Sequence, residues 1–515
     1  MSQPSSSDQN PTSPSAPSST LRRMRSMHYT SSTKKYELGR ASEGAFKHFE
    51  YPSLHLLTLS LKHNPQKFTL PPTEELIQKA IKVIKSYVHN DLPMSGSFRL
   101  EEKVIFDMGN CFVKLGFDGD CHPLKSIPWF DTFLKPKLPQ LENCFGLLTH
   151  DYWQLVDSLG GELVMEEIVF QCFYQLYNYH LLVDPKLRRV IFVENPLVPL
   201  PFKQLIAKVL FHRFQVPSIT YFTSHVTSLL AVGATEGLVV DCGHLYISAM
   251  PVSDTRPQLS NLKYSLKAGN SICQRLREYL LEYATILPHQ NKGQMPQFQL
   301  SKDLFSLSVL EDIKIRGLVV SNKMVPLDLK SDDRLEWYRN HSSMPSLRFP
   351  MAHPRDGTKF DIVIPGWIRE FTCEVLFESG DEDHPSLIEA TLDCLNSLSI
   401  DYLPQIIDKI YPIGGITRFP NFSLRFKLEL LAQIRHFKRY QRLEPSLDQL
   451  EFLRQPSQIC FNGDSLSWVG ASICTQTKCN GVELGLDYFD GTVPDLSVMG
   501  TIPHHPSHST ASRYR

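Results

Sequence analysis

The chain has 515 residues, 42% of them apolar and 21% charged, and 53 Lys and Arg against 54 Asp and Glu leave a net charge of -1. That length exceeds one compact core and fits about two to four domain-sized units. The balanced charge gives no electrostatic drive toward nucleic acid or an anionic membrane, and no run approaches the roughly 18–20 apolar residues that insertion across a bilayer requires. Eleven cysteines, with no Cys-x-x-Cys pair, read as reduced structural thiols. Cys474 and Cys479 make a poor zinc pair, because the nearby histidines are confined to the tail.

Residues 1–45 are Ser- and Pro-rich and then basic, which predicts a disordered, solvated tail. They lack the apolar segment of a secretory signal. In the extension 46–98 the one expected element is a helix over 73–89. Thr73 serves as N-cap, Glu75 falls in the first turn, and Leu76, Ile77, Ala80, Ile81 and Ile84 follow at helical spacing. Lys79, Lys82 and Lys85 mark its solvated side.

The stretch 104–120 organises the rest of the chain. An apolar run, Val104-Ile105-Phe106, ends in Asp107 and Gly109, and a second run, Cys111-Phe112-Val113, carries Lys114 before the turn signals Gly116 and Gly119. This predicts a hairpin whose glycine lets backbone N–H groups approach an anion. The piece recurs 134 residues on: Leu238-Val239-Val240 ends in Asp241 and Gly243, and another apolar strand follows. Two hairpins of one design suggest duplicated halves, each giving one carboxylate to a shared cleft. Between them, 124–163 lacks periodicity, 189–193 reads as a buried parallel strand and 201–214 as an amphipathic helix.

Beyond the second hairpin, helices are expected at 269–283, 307–317, 368–377, 385–398 and 423–438. The segments 290–299 and 340–359 are polar, Pro- and Gly-punctuated and predict surface loops. Ile413 precedes Gly414-Gly415, a glycine pair at a helix entrance of the kind that brings backbone close to a phosphate or a base. The alternation predicts an α/β fold of two related lobes around a cleft. The first lobe spans 99–235 and the second 236–450, with a return to the first over 451–497 and a flexible tail at 498–515.

These hairpins and the late Gly-Gly resemble the actin, Hsp70 and hexokinase superfamily, with its duplicated ribonuclease H-like, actin-like fold around a nucleotide cleft. Glu194-Asn195-Pro196-Leu197, Ser228-Leu229-Leu230-Ala231 and Trp468-Val469-Gly470-Ala471-Ser472-Ile473 look like actin itself. VLFHRFQVPSITYFTSH (209–225), VVDCGH (239–244) and LDYFDGTVPDLS (486–497) are similar to the divergent actin-related subgroup at the pointed end of dynactin's short filament. The resemblance implies that Asp107 and Asp241 hold Mg²⁺ through water. It assigns Gly109, Lys114 and Gly243 to phosphate loops and Gly414 and Gly415 to the adenosine side. The implied cofactor is ATP or ADP with Mg²⁺, unless the cleft is nucleotide-free.

Departures from the pattern point away from catalysis. Ser224 stands where actin orients the attacking water with a glutamine, and Ser248 where it has a histidine. A serine hydroxyl is too short for that positioning, which supplies much of phosphoryl-transfer catalysis. His244 and Leu245 crowd the second loop, and Ile315 replaces a nucleoside-binding glutamate. The resemblance therefore implies a cytoplasmic, cytoskeletal subunit without ATPase activity. It would cap the pointed end of the dynactin filament, contact the filament protomers and other pointed-end subunits, and serve dynein indirectly. Segments 209–216, 468–473 and 486–497 keep the family look of the barbed side, whereas 124–163, on the pointed side, does not. The alternatives are an actin-related subunit of a nuclear chromatin-remodelling complex and an active actin-fold ATPase.

Overall fold

A computed structural model of the chain describes residues 103–128, 156–157, 160–289, 299–326, 329, 331–380, 384–452, 461–476 and 481–494. Every described residue lies in one unit, 98–515. The expected tails at 1–45 and 498–515, the helix at 73–89 and nearly all of the loop at 290–299 lie outside the described residues.

The first lobe begins with the expected hairpin, β1 (Val104–Met108) and β2 (Phe112–Phe117), followed by β3 (Lys125–Pro128). Helix α1 (Glu162–Gln175) leads to β4 (Val190–Glu194) and α2 (Leu200–Lys208), which a π-helical turn, Val209–Arg213, extends. Next come β5 (Ser218–Thr223) and α3 (Ser224–Ala231). The second lobe repeats the opening with β6 (Gly237–Cys242) and β7 (Ile247–Ser253), then β8 (Arg256–Pro257), β9 (Lys263–Ser265) and α4 (Gly269–Tyr283). It continues through β10 (Thr285–Pro288), α5 (Leu307–Gly317), α6 (Ser331–His341), β11 (Leu347–Ala352) and β12 (Lys359–Ile364). Helix α7 (Leu387–Ser397), strand β13 (Ile410–Ile413) and helix α8 (Phe422–His436) complete it, and helix α9 (Leu466–Gln476) and β14 (Val482–Gly485) return to the first lobe, where β14 pairs with β5.

The sheets show the duplication. One runs β14-β5-β4-β1-β2-β3 and the other β13-β6-β7-β8, with β9 also on β7. Each holds an antiparallel hairpin whose first strand has a parallel neighbour. The registers place Asp107 opposite Val193 and Asp241 opposite Ile413, so the two acids occupy equivalent positions. Strand β1 is buried on both faces: Val104 and Phe106 enter the first-lobe core, while Ile105 joins a cluster with Val239, Met250 and Trp468. Covering on both faces explains why both first hairpin strands read as continuous apolar runs. This is an actin-like, two-lobed α/β architecture.

The segment 340–359 corrects the expectation of a loop. Asn340 and His341 end α6, and Leu347–Ala352 is β11, which pairs antiparallel with β12 in a third sheet ordered β10-β12-β11. Phe349 and Met351 turn inward while Pro350 faces out, and Pro is tolerated because β11 is an edge strand. No described helix is long and apolar enough to cross a membrane.

Candidate functional site

Both hairpin turns are built around a close backbone approach. A Cβ on Gly109 would lie 2.7 Å from the Phe112 carbonyl oxygen, and one on Gly243 would lie 2.9 Å from that of Tyr246. Gly414 has φ 93° and packs against the end of β6, where a Cβ would meet the Cys242 carbonyl at 2.4 Å and Asp241 Oδ1 at 3.0 Å. Only glycine fits there. Gly415 faces open space. The structure thus brings Asp241 beside Gly414, 173 positions away in sequence.

Asp107 is engaged through one carboxylate oxygen. Lys114, its cross-strand neighbour, donates to Oδ2 at 2.8 Å, and Ser467 on α9 donates to the same oxygen at 2.6 Å. Burial presses the Lys114 ammonium toward neutrality, but Asp107, with Asp464 and Asp241 farther off, holds its pKa above the ordinary lysine value. The ammonium therefore sits in the combined field of the two hairpin acids.

Asp241 is engaged from the first lobe. Asn195, just after β4, donates through Nδ2 to Asp241 Oδ2 at 3.0 Å and to Ser248 Oγ at 2.8 Å. His225 continues the chain: Nε2 lies 3.0 Å from Ser248 Oγ and 3.4 Å from the Ser248 carbonyl, and Nδ1 lies 3.3 Å from Ser224 Oγ. A carbonyl only accepts, so Nε2 carries the proton and Nδ1 accepts from the Ser224 hydroxyl. Both serines are thereby committed to a buried histidine.

His225 is fully buried, and burial lowers its pKa; Asp241 and the Ser248 carbonyl oppose this only in part. The folded chain keeps the imidazole neutral, while the unfolded chain protonates it below about 6.5. Its contribution to stability is present above that value and is lost as pH falls from there toward the depressed folded pKa. Denaturation midpoints from pH 8 to pH 5.5 should fall less steeply in His225→Asn than in the parent chain. An equal or steeper fall in the variant would contradict this placement.

The second turn differs from the first. His244 and Leu245 are buried, and α4 seats on the turn through Gly269 N–H to the Gly243 carbonyl at 3.1 Å and Asn270 N–H to the His244 carbonyl at 2.6 Å. Behind it, Glu311 on α5 pairs with Lys314 and stands 3.2 Å from His244 Nδ1. Burial works against the Glu311 carboxylate, yet Lys314 and His244 hold its pKa far below the usual range. Cys273 Sγ lies 3.3 Å from the same carboxylate, and burial pushes this thiol up to about 12. Ile315 on this helix is 63% exposed.

Measured against these donors, a Mg²⁺-nucleotide fits poorly. Two carboxylates suit hydrated Mg²⁺, but each already accepts hydrogen bonds from its neighbours. The second turn is filled by the buried His244 and Leu245, with the Glu311–Lys314 pair behind them. Asn195, His225, Glu311, Lys314 and Ser467 carry no site expectation from sequence. Asn195 stands inside a segment that looks like actin and His225 inside one similar to the divergent actin-related subgroup, and this is the available signal.

Known proteins supply the family. A family model described as Actin matches residues 100–479. Actin-related protein 10 of Dictyostelium discoideum is 23% identical over 417 residues, covering 72% of this chain and 82% of the relative. Actin-like protein 7A of Rattus norvegicus is 26% identical over 367 residues, covering 67% and 74%. Actin-like protein 9 of Homo sapiens is 23% identical over 414 residues, covering 77% and 88%. With the duplicated hairpins and their paired acids, a match over this span means that the chain belongs to the actin family.

Proposed function

We propose that the chain is a non-catalytic actin-related subunit that ends the short filament of dynactin at its pointed end and so supports dynein-driven transport along microtubules. Its partners would be the terminal filament protomer and the other pointed-end subunits, in the cytoplasm. Similarity to an actin-related protein 10 over 72% of the chain supports the assignment to this filament. The hydrogen bonds of Ser224 and Ser248 to His225 support the non-catalytic part, because they hold two short, buried hydroxyls against an imidazole in place of a side chain that reaches an attacking water. In this reading the cleft works as a nucleotide-free joint between lobes.

The end-capping part rests on an asymmetry of faces. A filament propagates only when each protomer keeps two matching, different faces. Segment 124–163 departs from the family pattern on one side. Of the segments that keep it, Val209, Leu210, Phe211 and Trp468 are core residues, and the surface belongs to Leu486 and Tyr488, the latter 80% exposed. One kept face and one altered face make a terminator. Sedimented alone at high concentration with Mg·ATP, the chain should stay in the supernatant and release no phosphate above background. Helical filaments in the pellet would refute the cap.

A further inference from the structure

We propose that Cys111, His244 and Glu311 form a zinc site that ties the two hairpin turns together. One donor atom from each residue lies within 4.8 Å of the other two, and His244 Nδ1 is 3.2 Å from Glu311 Oε1. Zinc bonds of about 2.0–2.3 Å at tetrahedral angles keep donors roughly 3.3–3.8 Å apart, so closing on an ion needs shifts on the order of 1 Å. Cys111 lies in the turn between β1 and β2 and is partly exposed.

The donor set selects the ion. A thiolate, an imidazole and one carboxylate match zinc, whereas Mg²⁺ takes oxygen ligands. Water completes the fourth corner, and the fully buried Cys273, with its thiol 3.3 Å from Glu311, orients the carboxylate from behind. Lys314 is the competitor. Its ammonium bonds Glu311 and lies 3.7 Å from Cys273 Sγ. On binding, Cys111 releases its thiol proton to solvent and Lys314 gives up Glu311. The two charges of the ion then balance one thiolate and one carboxylate, and the buried Lys314 ammonium is left without its carboxylate, the cost that opposes binding. Cys111 belongs to the first lobe, and His244 and Glu311 to the second, so the ion fixes the lobes against each other. This site stands or falls on the chain itself, whatever its partners.

The test uses the purified full chain, stripped of metal and titrated with Co²⁺ or Zn²⁺ alone. One Co²⁺ per chain should bind with a thiolate-to-cobalt charge-transfer band, and Zn²⁺ should raise the melting temperature by mass action. Cys111→Ser should lose the band, and Cys111→Ser and His244→Asn should both lose the zinc-induced shift. Cys121→Ser, at an exposed cysteine, should keep both. The tail histidines at 504, 505 and 508 can bind ions only without a thiolate band. Lys314→Met removes the competing ammonium and should tighten binding, a readout that survives even if Cys111→Ser unfolds. A band that persists in a folded Cys111→Ser, no stoichiometric ion in the parent chain, or weaker binding in a folded Lys314→Met would overturn the site.

Discussion

Replacing Arg425 by alanine should remove about 3–5 kcal/mol of stability, the cost of leaving a buried charge without its partner. Arg425 is fully buried on α8. Its guanidinium donates to Glu429 at 2.8 Å, to Glu374 at 3.1 Å and to the carbonyls of Ser321 and Lys323 at 2.9 and 2.7 Å. Tyr338 adds a hydrogen bond to Glu374 at 2.6 Å. Burial disfavours the guanidinium charge, but Glu374 and Glu429 more than restore it. Alanine would leave two buried carboxylates and two carbonyls without these donors, against a total stability of about 5–15 kcal/mol. Arg425→Lys keeps the charge but loses the fork that serves four acceptors, so it should recover only part. The denaturant midpoint measures both. A loss under about 1 kcal/mol for Arg425→Ala would mean that the network behaves like an exposed pair.

The second large effect is expected at Gly470, where two influences of opposite sign compete. Alanine in a helix interior gains about 1 kcal/mol over glycine by propensity. Here its Cβ would sit 1.7 Å from the Thr227 carbonyl oxygen and 2.4 Å from its carbon, because α9 crosses α3 backbone to backbone. Backbone cannot yield as a flexible side chain would, and overpacking costs about 1–3 kcal/mol, sometimes more. Steric exclusion should therefore win, and Gly470→Ala should lower the melting temperature. Moving α9 also moves Ser467 off Asp107, so the damage reaches the cleft. A rise in stability would contradict the close crossing.

The parts of this fold that sequence reveals are those whose signal is local. The hairpins announce themselves because strands buried on both faces are continuously apolar and because their turns demand glycine. The helix Leu387–Ser397 follows Ser386, which forms a capping box with Glu389, and α4 and α5 carry unbroken helical spacing. Helix α1 carries no expectation from the sequence, although Met165, Ile168, Val169, Cys172 and Phe173 stand at helical spacing, because the aperiodic stretch before it hides its start. Strand β11 is illegible for a different reason. Only Phe349 and Met351 are buried, and Pro350 between them imitates a loop.

The site divides in the same way. Asp107 and Asp241 are legible as carboxylates on repeated hairpins. Their partners are not, because Ser467 lies 360 positions from Asp107 and Asn195 lies 46 from Asp241. The buried pair of Arg425 and Glu374, 51 positions apart, is equally silent. Polar pairing across the fold leaves no periodicity for a sequence to show, although burial then makes such pairs among the most costly to break.

Membership in the pointed-end assembly of dynactin, as proposed, is tested most directly by one measurement. The full chain, carrying an affinity tag at native expression level, is isolated from its own cells, and the co-purifying proteins are identified by mass spectrometry. Stoichiometric recovery of dynactin's filament protomers and its other pointed-end subunits is the predicted result. Recovery of a chromatin-remodelling complex in their place, with no dynactin subunit, would contradict it.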